Sequence, residues 1–284
     1  MSESVQFKMQ GPVLDKDIPL DIALWALNSF QNIIDKSYLA LSGNQRISKK
    51  SREEFRITFI EIKKGGSLDA NLELIVATAA VAQMTMPFLT SLSAKEIWNL
   101  TKDAFNYLKF VLQAASNGKQ PTYQQTGDGM LVVNNGDGNI TVNQTTYNVG
   151  KEAFPDYQEL AKLTKSGVDS VAFMKKDEQP EIEVNKSNSA IFFPKAEVLP
   201  QNIQLSCEVF DFNKHKKGGK ISVLAGQEIP EGEYNFEIVG DQDIVPYIES
   251  MLKNQVKVNC LQEMTTDPFG NTKVCKVQIV SVIA

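Results

Sequence analysis

DQDIVPYIESML, Asp241 to Leu252, is the one helical stretch within residues 201–284, and Asp241 is placed to cap it. Before it, alternating apolar residues mark strands at about 203–212, 219–225 and 233–239. After it, similar runs occupy about 255–263 and 273–283. The order is therefore three strands, a helix and two strands. Cys207, Cys260 and Cys275 all fall inside these apolar runs. An odd count without C-x-x-C spacing predicts reduced, buried core thiols in a cytoplasmic setting, not a disulfide framework or a structural zinc.

This order resembles the OB-fold, a small five-stranded β-barrel, over residues 201–284. The resemblance implies that ligands meet the loops flanking one face of the barrel. The first such loop is Asn213-Lys-His-Lys-Lys-Gly-Gly-Lys220; the last hairpin loop spans Thr265 to Asn271. Lys214, His215, Lys216, Lys217 and Lys220 are candidates for holding a phosphate or a single-stranded backbone, with the glycines allowing close approach. Phe212 and Phe269 are candidates for stacking on bases. Residues 201–284 nevertheless carry 8 basic against 11 acidic side chains, so nucleic-acid contact is expected to be weak. The competing reading is a solubilised hairpin tip whose lysines discourage edge pairing.

Upstream, residues 151–200 read as a helical and extended linker. An amphipathic helix is expected over 152–178, with Phe154, Leu160, Leu163, Val168, Val171 and Phe173, and it stops at Pro180. Residues 119–150 form an Asn/Gly-rich β-ribbon with a nine-residue repeat, TGDGMLVVN (126–134) followed by NGDGNITVN (135–143). Gly-Asp-Gly supplies turns, and Leu131 with Val133, or Ile140 with Val142, shows one apolar face. The repeat is superficially like calcium-binding nonapeptides but lacks their G-G-x-G-x-D order, and two copies wind no solenoid. No metal or other cofactor is expected. So short a ribbon cannot bury its own face, which predicts stacking against a second copy with Asn134, Asn139 and Asn143 bonding between chains; a flexible hairpin linker is the alternative.

Residues 1–118 read as an α+β domain with long apolar helices. Val5, Phe7 and Met9 open a strand, and Leu20 to Leu41 repeat at helical spacing until Gly43-Asn44. A basic loop, 45–54, leads to a hairpin of strands around Gly65-Gly66. Residues 74–94 carry no charge; they are expected to form a buried or oligomer-facing helix, with membrane contact as the alternative. Ser93 and Glu96 form a capping box for the next helix, which runs to Gly118. Its first stripe contains Ile97, Leu100, Ala104, Leu108 and Val111. Its second, Trp98, Phe105 and Leu112, is expected to face a partner chain, the alternative being that residues 152–178 fold back over the same surface within one chain.

The chain has 284 residues, 42% apolar and 22% charged, with a net charge of −5. Those figures exclude a collagen, a disordered chain and a general polyanion binder. His215 is the single histidine, so histidine-clustered metal sites cannot form within one chain, and His-dependent nucleophilic catalysis would have to rest on that one residue. No P-loop, G-x-G-x-x-G, G-x-S-x-G or H-E-x-x-H pattern occurs, and no enzyme is expected. The start MSESVQFKMQ lacks the features of a signal peptide. The whole layout, with its strand–helix–hairpin unit turning at Gly66-Ser67, is similar to uncharacterised bacterial accessory proteins of mobile elements or phage defence. That resemblance implies no catalytic residue and no substrate. The expectation is a non-catalytic, self-associating binding, scaffold or sensor protein, and the resemblance implies a place in antiviral defence. The alternatives are a membrane-acting effector using 74–94 and a single-stranded nucleic-acid binder using the OB-like domain.

Overall fold

Alternation of apolar and polar residues sets the first strand, β1 (Ser2–Gln10): Val5, Phe7 and Met9 are buried, while the residues between them stay partly open. The computed structural model describes residues 2–64, 66–77, 92–175 and 178–283. They fall into two units, Met1–Phe193 and Pro194–Ala284.

In the first unit, β1 sits at the centre of an antiparallel sheet with β2 (Phe55–Lys64), β3 (Ser67–Val76), β7 (Ser170–Met174) and β8 (Ile182–Asn185), in the order β2-β3-β1-β7-β8. Helix α1 (Leu20–Ser42) ends at Gly43, whose φ of 71° closes the last turn. It lays Phe30 on Phe173 and Phe7, with centroids 4.7 and 6.2 Å away, and stacks Tyr38 on Phe55. The short helix α2 (Lys49–Glu54) turns Arg52 back onto buried Asp35, with Nη1 donating to Oδ1 at 2.7 Å. Helix α3 (Ala94–Ser116) starts from the Ser93–Glu96 capping box. Helix α4 (Gln144–Leu163) is capped by Asn143. These helices pack on one another: Thr101 donates to Ser37 at 2.8 Å, and Phe105 meets Tyr157 at 5.2 Å.

Three sequence expectations change here. Residues 170–174 are a strand and not the end of a helix, because Val171 and Phe173 pair opposite Met9 and Phe7 in the sheet. Their spacing also fits a period of two, and Gly167 separates them from α4. Leu74 and Val76 close β3, so no helix begins at 74; residues 78–91 lie outside the described residues. Among the described residues no helix is long and apolar enough to cross a membrane. The 151–193 stretch is not a linker, since Ala153, Tyr157 and Leu160 of α4 are fully buried in the first unit.

The ribbon forms its own antiparallel sheet, β4 (Thr122–Gln125), β5 (Met130–Asn134) and β6 (Asn139–Asn143), in that order.

In the second unit, β9 (Ala196–Asn213), β10 (Gly218–Val223), β11 (Gly232–Ile238), β12 (Val256–Thr266) and β13 (Thr272–Ile283) close on themselves. The ring runs β9-β10-β11-β13-β12 and returns to β9; only β11 and β13 are parallel. Leu205, Cys207, Val209, Ile221, Val258, Cys260, Val277 and Ile279 fill its interior. Helix α5 (Val245–Ser250) joins β11 to β12 and inserts Tyr247. Cys275 departs from its expected burial: it is only half-buried, with its thiol donating to the Glu263 carbonyl at 3.2 Å.

Candidate binding cleft

The lysine-rich turn of the second unit is a built hairpin. Asn213 Oδ1 accepts from the backbone N–H groups of His215 and Lys216, and Lys217 takes a φ of 47°. Lys217 Nζ lies 2.9 Å from Asp241, whose carboxyl it holds below the usual range. Lys220 stands between Asp211 and Asn235 on the neighbouring strands. The glycines serve the strands, not a ligand: a Cβ on Gly219 would sit 2.0 Å from the Asp211 carbonyl oxygen, and one on Gly218 would sit 2.6 Å from that of Phe236. Phe212 is committed to the barrel, stacked on Tyr247 at 5.7 Å and Phe236 at 6.2 Å. Phe269 lies in the turn after β12, which pairs with the start of β9, whereas the lysines follow its end. Of the residues proposed here, Lys214, His215, Lys216 and Lys220 remain as exposed groups.

In the first unit, Trp98, Phe105 and Leu112 are 0, 3 and 1% exposed, so this second stripe is used inside the chain and not against another. The Trp98 indole N–H donates to Glu181, and Phe105 rests on Tyr157. Two of the three ribbon asparagines are also committed internally. Asn134 Oδ1 accepts from the Gly136 N–H, and Asn143 Oδ1 caps α4 through the Thr146 N–H. Asn139 lies exposed on β6. Half of the ribbon's apolar face is covered within the chain: Leu131 and Val133 are buried, and Asn135 Nδ2 donates to the Phe110 carbonyl of α3.

That docking leaves a cleft of about 430 Å³ between α3 and the outer strand of the ribbon, β6. One wall is the α3 stripe Asp103, Asn106, Tyr107 and Phe110, spaced i, i+3, i+4 and i+7. The other is Ile140, Thr141, Val142 and Asn143, four consecutive residues of β6, with Met130 of β5 and Thr146 of α4 at its end. Side chains of a strand alternate between faces, so a cleft touching consecutive residues meets the strand along its edge. Among the described residues β6 pairs with β5 alone. The cleft therefore joins a half-exposed apolar floor, an open backbone edge and a polar rim. Burial, then Tyr123, pushes the Tyr107 phenol upward, so it stays neutral. Tyr107 comes close to α4 because residue 150 is glycine; a Cβ there would sit 2.7 Å from its ring.

Sequence reasoning identified the apolar face of Ile140 and Val142 but missed Asp103, Asn106, Tyr107 and Phe110. Their i, i+3, i+4, i+7 spacing was the available signal. Among the described residues no three His, Cys, Asp or Glu side chains gather as metal ligands. Comparison with protein-family models, with curated proteins and with solved structures finds no match.

Proposed function

We propose that the protein is a non-catalytic binding and scaffold protein whose first unit takes up an extended polypeptide segment beside β6. The observation that carries this reading is the cleft meeting β6 edge-on. An added strand satisfies its backbone on the N–H and C=O groups of that edge, and its alternate side chains enter the space between Ile140, Val142 and Phe110. Exposed Asp103 and Asn106 on the helix rim favour a segment with a donor or a basic residue at that point.

The second unit is read as an OB-like barrel. Its closed ring of strands, with the helix between the third and fourth, supports that reading. It serves as an adaptor module, since its lysine turn is shaped by strand geometry and by Asp241.

The test is a titration of the full-length protein with blocked pentapeptides of alternating Val, Ile, Thr and Asn, followed by amide hydrogen exchange. Slower exchange at Asn139, Thr141 and Asn143 is expected. Unchanged exchange at all three with every peptide, in a protein that also does not self-associate, overturns the reading.

A further inference from the structure

We propose that the strand added to β6 is the β6 of a second copy of this chain, antiparallel about a two-fold axis through Thr141; the proposal rests on the strand-addition reading above. The hydrogen-bond phase of the ribbon sets the register. Asn135 N–H donates to the Gly138 carbonyl at 3.1 Å, so the next pair, Asn134 and Asn139, does not exchange backbone bonds. Alternation then makes Val133–Ile140 and Leu131–Val142 the bonded pairs. Asn139, Thr141 and Asn143 consequently direct their N–H and C=O groups away from β5, along the open edge.

Only a register that sets odd residues against odd uses these groups, and Asn-Ile-Thr-Val-Asn reads nearly the same in both directions. With the axis at Thr141, each Thr141 exchanges bonds with Thr141 of the partner subunit. Each Asn143 N–H donates to the carbonyl of Asn139 of the partner subunit, while the Asn143 carbonyl serves the first turn of α4. Ile140 then faces Val142 of the partner subunit in a non-bonded pair, the arrangement that brings side chains closest. Both lie on the face that floors the cleft, so the second copy covers the half-exposed apolar surface left beside Phe110.

The edge also lacks the devices that keep natural edges apart. β6 has no charge, no proline and no bulge along its pairing with β5. The contrast within the same unit is β2, whose edge carries Arg56 and Lys63 and is broken by a bulge between Phe59 and Glu61. The other ribbon edge, β4, follows Pro121, and its sequence Thr-Tyr-Gln-Gln has no two-fold match, which favours a closed pair over an open run of ribbons.

Sedimentation equilibrium of the full chain tests this with Thr141→Pro, which removes the N–H at the axis, and Thr141→Lys, which sets like charges face to face. Thr141 is exposed, so the lysine variant keeps the fold even if proline perturbs the ribbon. The expected result is a wild-type dimer that weakens about tenfold or more in both variants, with the lysine variant's thermal midpoint unchanged. A dimer undiminished by Thr141→Lys overturns the proposal, as does growth beyond a dimer, which would pair β4 with β6. A monomeric wild type overturns it too. If that monomer still shows slowed exchange on adding blocked Asn-Ile-Thr-Val-Asn, strand addition stands and the partner is a different chain; if it does not, both readings fall.

Discussion

Trp98 donates its indole N–H to a carboxylate oxygen of Glu181, 2.7 Å away and 83 residues along the chain. The other oxygen of Glu181 takes Lys102 at 2.6 Å, one turn further along α3. The helix face that sequence analysis assigned to a partner chain is thus tied to the segment entering β8. Trp98→Phe is expected to destabilise the first unit by about 2 kcal/mol, since a bond to a charged acceptor is lost and a small void is left. Lys102→Met is expected to cost less than about 1 kcal/mol, because that pair keeps contact with solvent. Urea unfolding followed by tryptophan fluorescence and far-UV circular dichroism measures both. Equal costs would show that the indole bond carries no special weight.

Tyr157 presents the opposite case, a fully buried hydroxyl with no hydrogen-bond partner among the described residues. Its ring is held between Phe105 and Phe192, and burial, then Asp156, pushes the phenol above its ordinary value. Tyr157→Phe retains the ring contacts and removes the unsatisfied group. Stability is expected to hold or rise by about 1 kcal/mol. A loss of about 1 kcal/mol or more in chemical denaturation would contradict the isolation of this hydroxyl.

Alternation made the strands legible: Val5, Phe7 and Met9 gave β1, and the apolar runs after residue 200 marked β9 to β13 to within several residues. Helix starts were legible where a cap had a chemical signature, as at Ser93 and Glu96. What lay beyond the sequence was which surface each apolar face meets. Leu131 and Val133 show one face in any reading, but only tertiary structure sets α3 against it. Val171 and Phe173 fit helical spacing as well as a strand, and pairing with Met9 and Phe7 decides the matter. The cleft escaped notice for the same reason, because its walls come from segments separated by the whole β4–β5 hairpin.

The lysine turn separates into parts that shape the barrel and parts that do not. Gly219→Ala is expected to cost about 3 kcal/mol or more, because the new Cβ collides with the backbone of β9 at Asp211. Lys214→Ser and Lys216→Ser are expected to stay within about 0.5 kcal/mol of wild type. Single-stranded oligonucleotides should bind weakly and in a salt-dependent way, and replacing Lys214, Lys216, Lys217 and Lys220 with serine should remove that binding. Gel shifts across a salt series measure the last point, and affinity that survives the four changes would place the contact elsewhere.

Cys207 and Cys260 give the barrel a dependence on alkaline pH. Burial pushes the Cys207 thiol up to about 11; burial, then Cys207 and Glu228, pushes Cys260 up to about 12, both from an ordinary value of 9.0. Above about pH 9 the unfolded chain releases these protons while the folded barrel keeps them. The unfolded state then binds fewer protons, so stability falls as pH rises from about 9 towards 11, and neither thiol contributes to the slope below that window. The shift at Cys207 alone corresponds to about 2–3 kcal/mol lost by the top of the window, and Cys260 adds to it. Cys207→Val with Cys260→Val keeps the interior apolar and removes both titrations, so the double variant should lose less stability than wild type across that range in urea unfolding. Parallel pH slopes would overturn the assignment. Thiol labelling of the native protein supplies the companion measurement: half-buried Cys275 should react first and alone, with Cys207 and Cys260 following only as the barrel unfolds.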